Sequence, residues 1–209
     1  LINLTDRNLP YNLKADVTQF TLPDDVANFI SPSTLLLKSQ GDINQHEIDL
    51  NSIISGFGYQ DASLALNATY VEQVFKINTL NFEELNSHNQ LSIKGELQLG
   101  EKLLWDVAVI SSGITLPHIE ENLSGRLKGN IISKGFFNGD EWAFTLVDSR
   151  IKGEINNIPL VAQANVDIDN KGGLTPSNLT LNYGDIAFDF KGYSDENWHV
   201  DGTIDIGNT

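Results

Sequence analysis

The 209-residue chain contains no cysteine and no methionine. Without cysteine there is no disulfide framework, thiol nucleophile or thiolate-bound metal. Cations are scarce: 13 Lys+Arg stand against 28 Asp+Glu, a formal net charge of −15. That imbalance argues against nucleic acid as a partner, because phosphate tracking needs a basic face. It also disfavours charge-driven docking on anionic lipid headgroups. No apolar run approaches the ~18 residues of a membrane-spanning helix. No basic stretch followed by an apolar one marks a secretory leader. Roughly four methionines would be ordinary at this length, and the first residue is Leu1. These absences suggest an internal segment of a longer polypeptide, with targeting and anchoring signals outside it. Hydrophobic residues make up 40% of the chain, enough to drive folding.

What the sequence does have is period-two alternation. It runs through Leu91–Leu99, Trp105–Val109, Trp142–Leu146, Leu160–Ile168, Ile186–Phe190 and Trp198–Ile206. Alternate side chains of a strand point to opposite faces, so these segments predict strands with one buried and one wet face. Such sheets are normally antiparallel. Asn138-Gly139-Asp140, Asn170-Lys171-Gly172-Gly173 and Tyr183-Gly184-Asp185 are turn signals between runs. Asn156–Pro159 separates a strand at 150–155 from one starting near 160. Pro23–Phe29 offers one or two helical turns at most. The expectation is about a dozen strands of ordinary length.

An internal repeat overlies the alternation. Thr21-Leu22-Pro23 returns as Thr115-Leu116-Pro117, and the same offset relates Ser39, Gly41, Asn44 and Glu47 to Ser133, Gly135, Asn138 and Glu141. Tyr11 then stands opposite Trp105, each opening a strand. Lys94-Gly95 recurs as Lys191-Gly192, and Trp198 is a third counterpart of Trp105. Residues 1–104 and 105–209 therefore read as two β repeat units, continuous with each other in a single elongated β domain, in the manner of a quasi-one-dimensional array.

Signs of catalysis are missing. His46, His88, His118 and His199 are isolated from one another, so no metal pair is visible. Asp167–Gly172 begins like a calcium loop, but Lys171 stands at a ligand position and Asn178 replaces the closing Glu. The Lys-Gly pairs lack a strand–loop–helix setting for phosphate, and Ser112 and Ser124 lack a nucleophile elbow. The chain reads as a non-enzyme with no cofactor and no metal.

The apolar faces have two outlets. In a sandwich or barrel they pack against each other. A repeating sheet that extends along one axis can instead form an open trough, apolar inside and charged outside. Its natural cargo would be acyl chains, stabilised by roughly 0.8 kcal/mol per buried methylene.

The order of landmarks from Ile151-Lys-Gly-Glu-Ile-Asn-Asn-Ile-Pro-Leu160 through Leu179-Thr-Leu181 to Phe190-Lys-Gly192 and Trp198-His-Val200 resembles the repeat of the TamB family, in the AsmA-like group. Leu123-Ser-Gly125-Arg-Leu127-Lys-Gly129 followed by Trp142 is similar to another stretch of that family. The likeness covers residues 90–209 well and the first ninety through the repeat. It implies an elongated, curved, mostly antiparallel all-β sheet forming an open hydrophobic trough, the β-taco. It implies a periplasmic segment of a parent anchored in the bacterial inner membrane, moving phospholipid between inner and outer membranes. It further implies the outer-membrane barrel TamA as partner of the parent, and, as an alternative role, holding outer-membrane β-strands during assembly. Acyl chains would then meet Trp105, Val107, Val109, Trp142, Phe144, Leu146, Leu160, Val166, Leu179, Leu181, Ile186, Phe188, Phe190, Trp198 and Val200.

Overall fold

The computed structural model describes residues 8–18, 30–56, 59–87, 89–116 and 124–207. Among these residues thirteen strands follow one another. They are β1 (Tyr11–Val17), β2 (Ile30–Gly41), β3 (Gln45–Gly56), β4 (Tyr59–Val71), β5 (Val74–Glu84), β6 (Asn89–Gln98) and β7 (Leu103–Leu116). Then come β8 (Gly125–Phe137), β9 (Trp142–Ile155), β10 (Ile158–Asp169), β11 (Ser177–Tyr183), β12 (Ile186–Ser194) and β13 (Trp198–Ile206). All lie in one sheet in sequence order, each antiparallel to the next. No helix occurs among the described residues; the turns expected at Pro23–Phe29 lie outside them.

The up-and-down order follows from the short connections. A tight reversal admits only an antiparallel neighbour. Asn156 and Asn157 take φ of 52° and 63°, the pair of left-handed residues that a two-residue hairpin turn needs. Gly184 closes the next tight turn at φ 57°. In the wider loop after β10, the Asp169 carboxylate accepts the main-chain N–H of Lys171 (2.8 Å) and of Gly173 (2.8 Å). The calcium-like run is thus an Asx-type turn closed by its own backbone.

The 142–155 region corrects the sequence reading. Trp142–Leu146 and 150–155 are not two strands but the single strand β9. Between Leu146 and Ser149 the register slips against both neighbours, and Asp148 there has φ 41°. This is a β-bulge, which adds one residue and inverts the alternation beyond it. Similar slips occur near Ser33 in β2, Asp61 in β4, Asn78 in β5 and Ser112 in β7.

The sheet has no second layer among the described residues. β1 and β13 do not pair with each other, so it does not close into a barrel. Among the described residues the only buried apolar ones are Ala62, Ala68 and Leu174. Accessible surface totals 13836 Å², against roughly 9,700 Å² for a compact chain of this mass.

Candidate apolar binding face

Residues paired across antiparallel strands share a face, so the register assigns every side chain. Trp105, Val107 and Val109 of β7 stand opposite Gly135, Ser133 and Ile131 of β8. Gly135 and Ser133 stand in turn opposite Phe144 and Leu146, and Phe137 opposite Trp142. Leu146 then faces Val166. Leu160 faces Tyr183, and Leu181 and Leu179 follow on the same side of β11. They oppose Phe188 and Phe190, next to the pair Tyr183 and Ile186. Gly192 opposes Val200, and Ser194 opposes Trp198. All fifteen residues expected to meet acyl chains therefore lie on one face.

None of the fifteen is buried. Most are half-buried, and Trp142, Ile186, Trp198 and Val200 are exposed. A closed core, the other outlet for these faces, would have covered them. The opposite face carries Lys94, Asp106, Lys134, Gln163, Asp189 and Asp201 at the intervening positions.

The face continues beyond those fifteen residues. Leu97, Ile93 and Leu91 of β6 oppose Phe75, Leu80 and Phe82 of β5. Leu64, Leu66 and Ala68 extend it on β4, then Ile48 and Leu50 on β3, Leu35 and Leu37 on β2, and Leu13 and Ala15 on β1. Alternation was available as a signal here, but the bulges at Asp61 and Asn78 break its phase. Without the bulge, Ile77 and Leu80 would point to opposite sides. Across thirteen strands the face runs about 58 Å at the usual strand spacing of about 4.8 Å.

One polar cluster interrupts it, and no sequence signal singled it out. Glu84, at the end of β5, is 9% exposed. Its Oε1 accepts the Thr115 main-chain N–H at 2.5 Å, and its Oε2 accepts the Thr115 hydroxyl at 2.9 Å and Asn89 Nδ2 at 3.2 Å. Ser87 also donates to Oε2. Asn89 Oδ1 accepts from Arg126, whose Nε donates to the Gly113 carbonyl at 2.8 Å. Tyr59 of β4 donates to the Thr115 carbonyl of β7. In a flat sheet β4 and β7 would be about 14 Å apart, beyond a tyrosine's reach, so this end bends toward the apolar face. Burial alone would raise the Glu84 carboxyl; the hydrogen bonds from Ser87, Thr115 and Asn89 outweigh it and hold the group below the ordinary carboxylate range. Burial, then the Glu84 charge, pushes Tyr59 up to about 12, so its hydroxyl stays a donor. The cluster joins five strands, β4 to β8, at one end of the sheet and offers no nucleophile–base pair.

The remaining histidines in view are structural. His46 stacks on Tyr70 with ring centroids 5.7 Å apart, and His199 lies on Tyr193 at 4.5 Å. His88 and His118 fall outside the described residues. No group of three or more potential metal ligands occurs among the described residues.

No solved structure matches the chain. The translocation and assembly module subunit TamB of Haemophilus influenzae is 22% identical over 98% of this chain. The chain spans 16% of that relative's length. The family model described as the N-terminal domain of TamB matches residues 1–209, and by that match the chain belongs to the TamB N-terminal domain family.

Proposed function

We propose that this chain is a non-catalytic, periplasmic part of an envelope protein, and that its apolar face carries phospholipid acyl chains between inner and outer membranes. The observation behind this reading is one largely apolar face that crosses thirteen strands, interrupted by the Glu84 cluster at one end and without a second layer among the described residues. Such an area would ordinarily be covered or bound. Acyl chains need only apolar area, gaining roughly 0.8 kcal/mol per methylene removed from water. Headgroups would stay in water at the rims. In this reading the parent is anchored in the inner membrane and works with the outer-membrane barrel TamA, and residues 1–104 and 105–209 are two repeat units of one trough. The similar registers of Tyr11 with Gly41 and Trp105 with Gly135 support that division.

Photo-crosslinking in cells tests it. A photoreactive residue at Phe144 or Phe188 should capture radiolabelled phospholipid, whereas Gln163 and Asp189 on the other face should not. Absence of label from a folded, expressed protein would overturn the lipid reading. The alternative, holding outer-membrane strands during assembly, draws on the open edges of β1 and β13. It predicts capture of unfolded polypeptide, not lipid, at those edges.

A further inference from the structure

The net charge of −15 hides one local reversal. On the outer face, opposite the apolar one, Lys128 of β8 stands directly across from Lys152 of β9. Arg126 and Arg150 lie two positions away on the same face of their own strands. Like charges facing each other across a ladder destabilise it unless an anion lies beside them. No acid of the protein does so here. The next residue in the row beyond Lys152 is Val161, and Arg150 lies between Asn130 and Gln163. By contrast, Lys76, Lys102, Lys134, Lys171 and Lys191 each stand within 4.0 Å of a carboxylate. The other facing pair, Lys14 and Lys38, has Asp49 next in its row. Lys128, Arg150 and Lys152 form no ion pair among the described residues.

The row ends in a hollow. β7 slips in register against β8 between Ser111 and Ile114, and at this bulge lies a concavity of about 400 Å³ bounded by Ser112, Gly113, Arg126, Lys128, Lys152 and Glu154. Arg126 is fixed at its side. Its Nε donates to the Gly113 carbonyl at 2.8 Å and its Nη2 to Asn89 Oδ1, and Asn89 is itself held by Glu84. A Cβ on Gly113 would fall 2.9 Å from Arg126 Nε, so the glycine is what admits the guanidinium. The Nη1 end has no acceptor among the described residues. Glu154, opposite Arg126, forms no ion pair with any of the three cations.

We infer that this hollow is a binding site for a phosphate group, held between Lys128 and Lys152 with Arg126 at its side. Three separate cations suit a tetrahedral, multiply charged anion better than a planar carboxylate of single charge. The ligand is compact, because the outer face beyond the hollow carries Asp106, Asp167 and Asp189, which would repel an extended polyanion. Two sources supply such a group, a soluble phosphate and a phospholipid headgroup. The site lies on the face opposite the proposed acyl path, so its failure would leave the lipid reading untouched.

Two probes test the site on the 209-residue chain. Inorganic phosphate, added at constant ionic strength to the isotope-labelled protein, should shift the amides of Gly113, Lys128 and Lys152 saturably. Lys128→Gln combined with Lys152→Gln should weaken that response at least tenfold. Lys94→Gln combined with Lys134→Gln removes the same charge from the same face and should leave it unchanged. All four side chains are on the wet face, so both variants should keep the amide spectrum of the folded chain. Flotation with phosphatidylcholine vesicles, with and without phosphatidylglycerol, separates the sources. Binding that needs phosphatidylglycerol and is lost without Lys128 and Lys152 assigns the phosphate to a headgroup; saturation by inorganic phosphate without it assigns a soluble ligand. Failure of both probes, or equal weakening in the two variants, would overturn the inference.

Discussion

At the scale of single residues, the positions that matter are those where the apolar face makes an exception. Gly135 is one. A side chain there meets both the Trp105 ring at 2.2 Å and the Ala143 carbonyl at 2.4 Å, and the carbonyl cannot give way. Gly135→Val should cost about 1–3 kcal/mol, the usual penalty of overpacking, read as a shift of the urea midpoint. Glu84 is another. Its folded carboxyl titrates below the unfolded one, so ionisation favours the fold. That contribution is complete above the unfolded value of about 4.3 and is lost as pH falls through the depressed folded value. Glu84→Gln should lower stability by about 2 kcal/mol at pH 7, in line with hydrogen bonds to a charged group. It should also flatten the stability curve below pH 4.3; an unchanged acid limb in denaturation would contradict this. By contrast, the exposed pairs Lys134–Asp106 at 2.6 Å and Lys171–Glu141 at 2.6 Å should contribute little in physiological salt.

At the scale of strands, alternation in the sequence located nearly every element after residue 90, because a half-wet strand writes its period directly into composition. Bulges are what it concealed. One extra residue reverses the phase, and in β9 that made one strand look like two. The bulge is nonetheless what keeps Leu146 and Ile151 on the same side. Deleting Asp148 should throw Trp142, Phe144 and Leu146 out of phase with Ile151 and Ile155. The expected result is a loss of at least ~2 kcal/mol, in the range of mutations that disrupt a packed element. Faster amide exchange confined to one half of β9 would be its signature, and unchanged protection along the whole strand would count against it. The Glu84 cluster was illegible for a different reason. Glu84 and Asn89 lie far in the chain from Thr115 and Arg126, and only the bend at the end of β7 brings the two pairs together.

At the scale of the whole molecule, the question is what an uncovered apolar face does. A charge placed in its middle tests the proposed cargo without touching the ladder. Phe188→Lys should abolish phospholipid labelling at Phe144 while leaving the circular dichroism spectrum and the urea midpoint nearly unchanged, since Phe188 is only half-buried. Retained labelling would mean that this stretch of the face is not the path. Alternation, turn residues and the repeat determined by themselves that the chain is all-β, antiparallel and apolar on one side, because each of these is a local property of spacing. They carried fifteen residues onto one face with no reference to pairing. They left open whether that face was shut against another layer, because covering a face depends on strands far apart in sequence. Only the tertiary structure decided that β1 and β13 stay apart, that five bulges among the described residues keep the face in phase across the sheet, and that a buried carboxylate ties β5 to the end of β7.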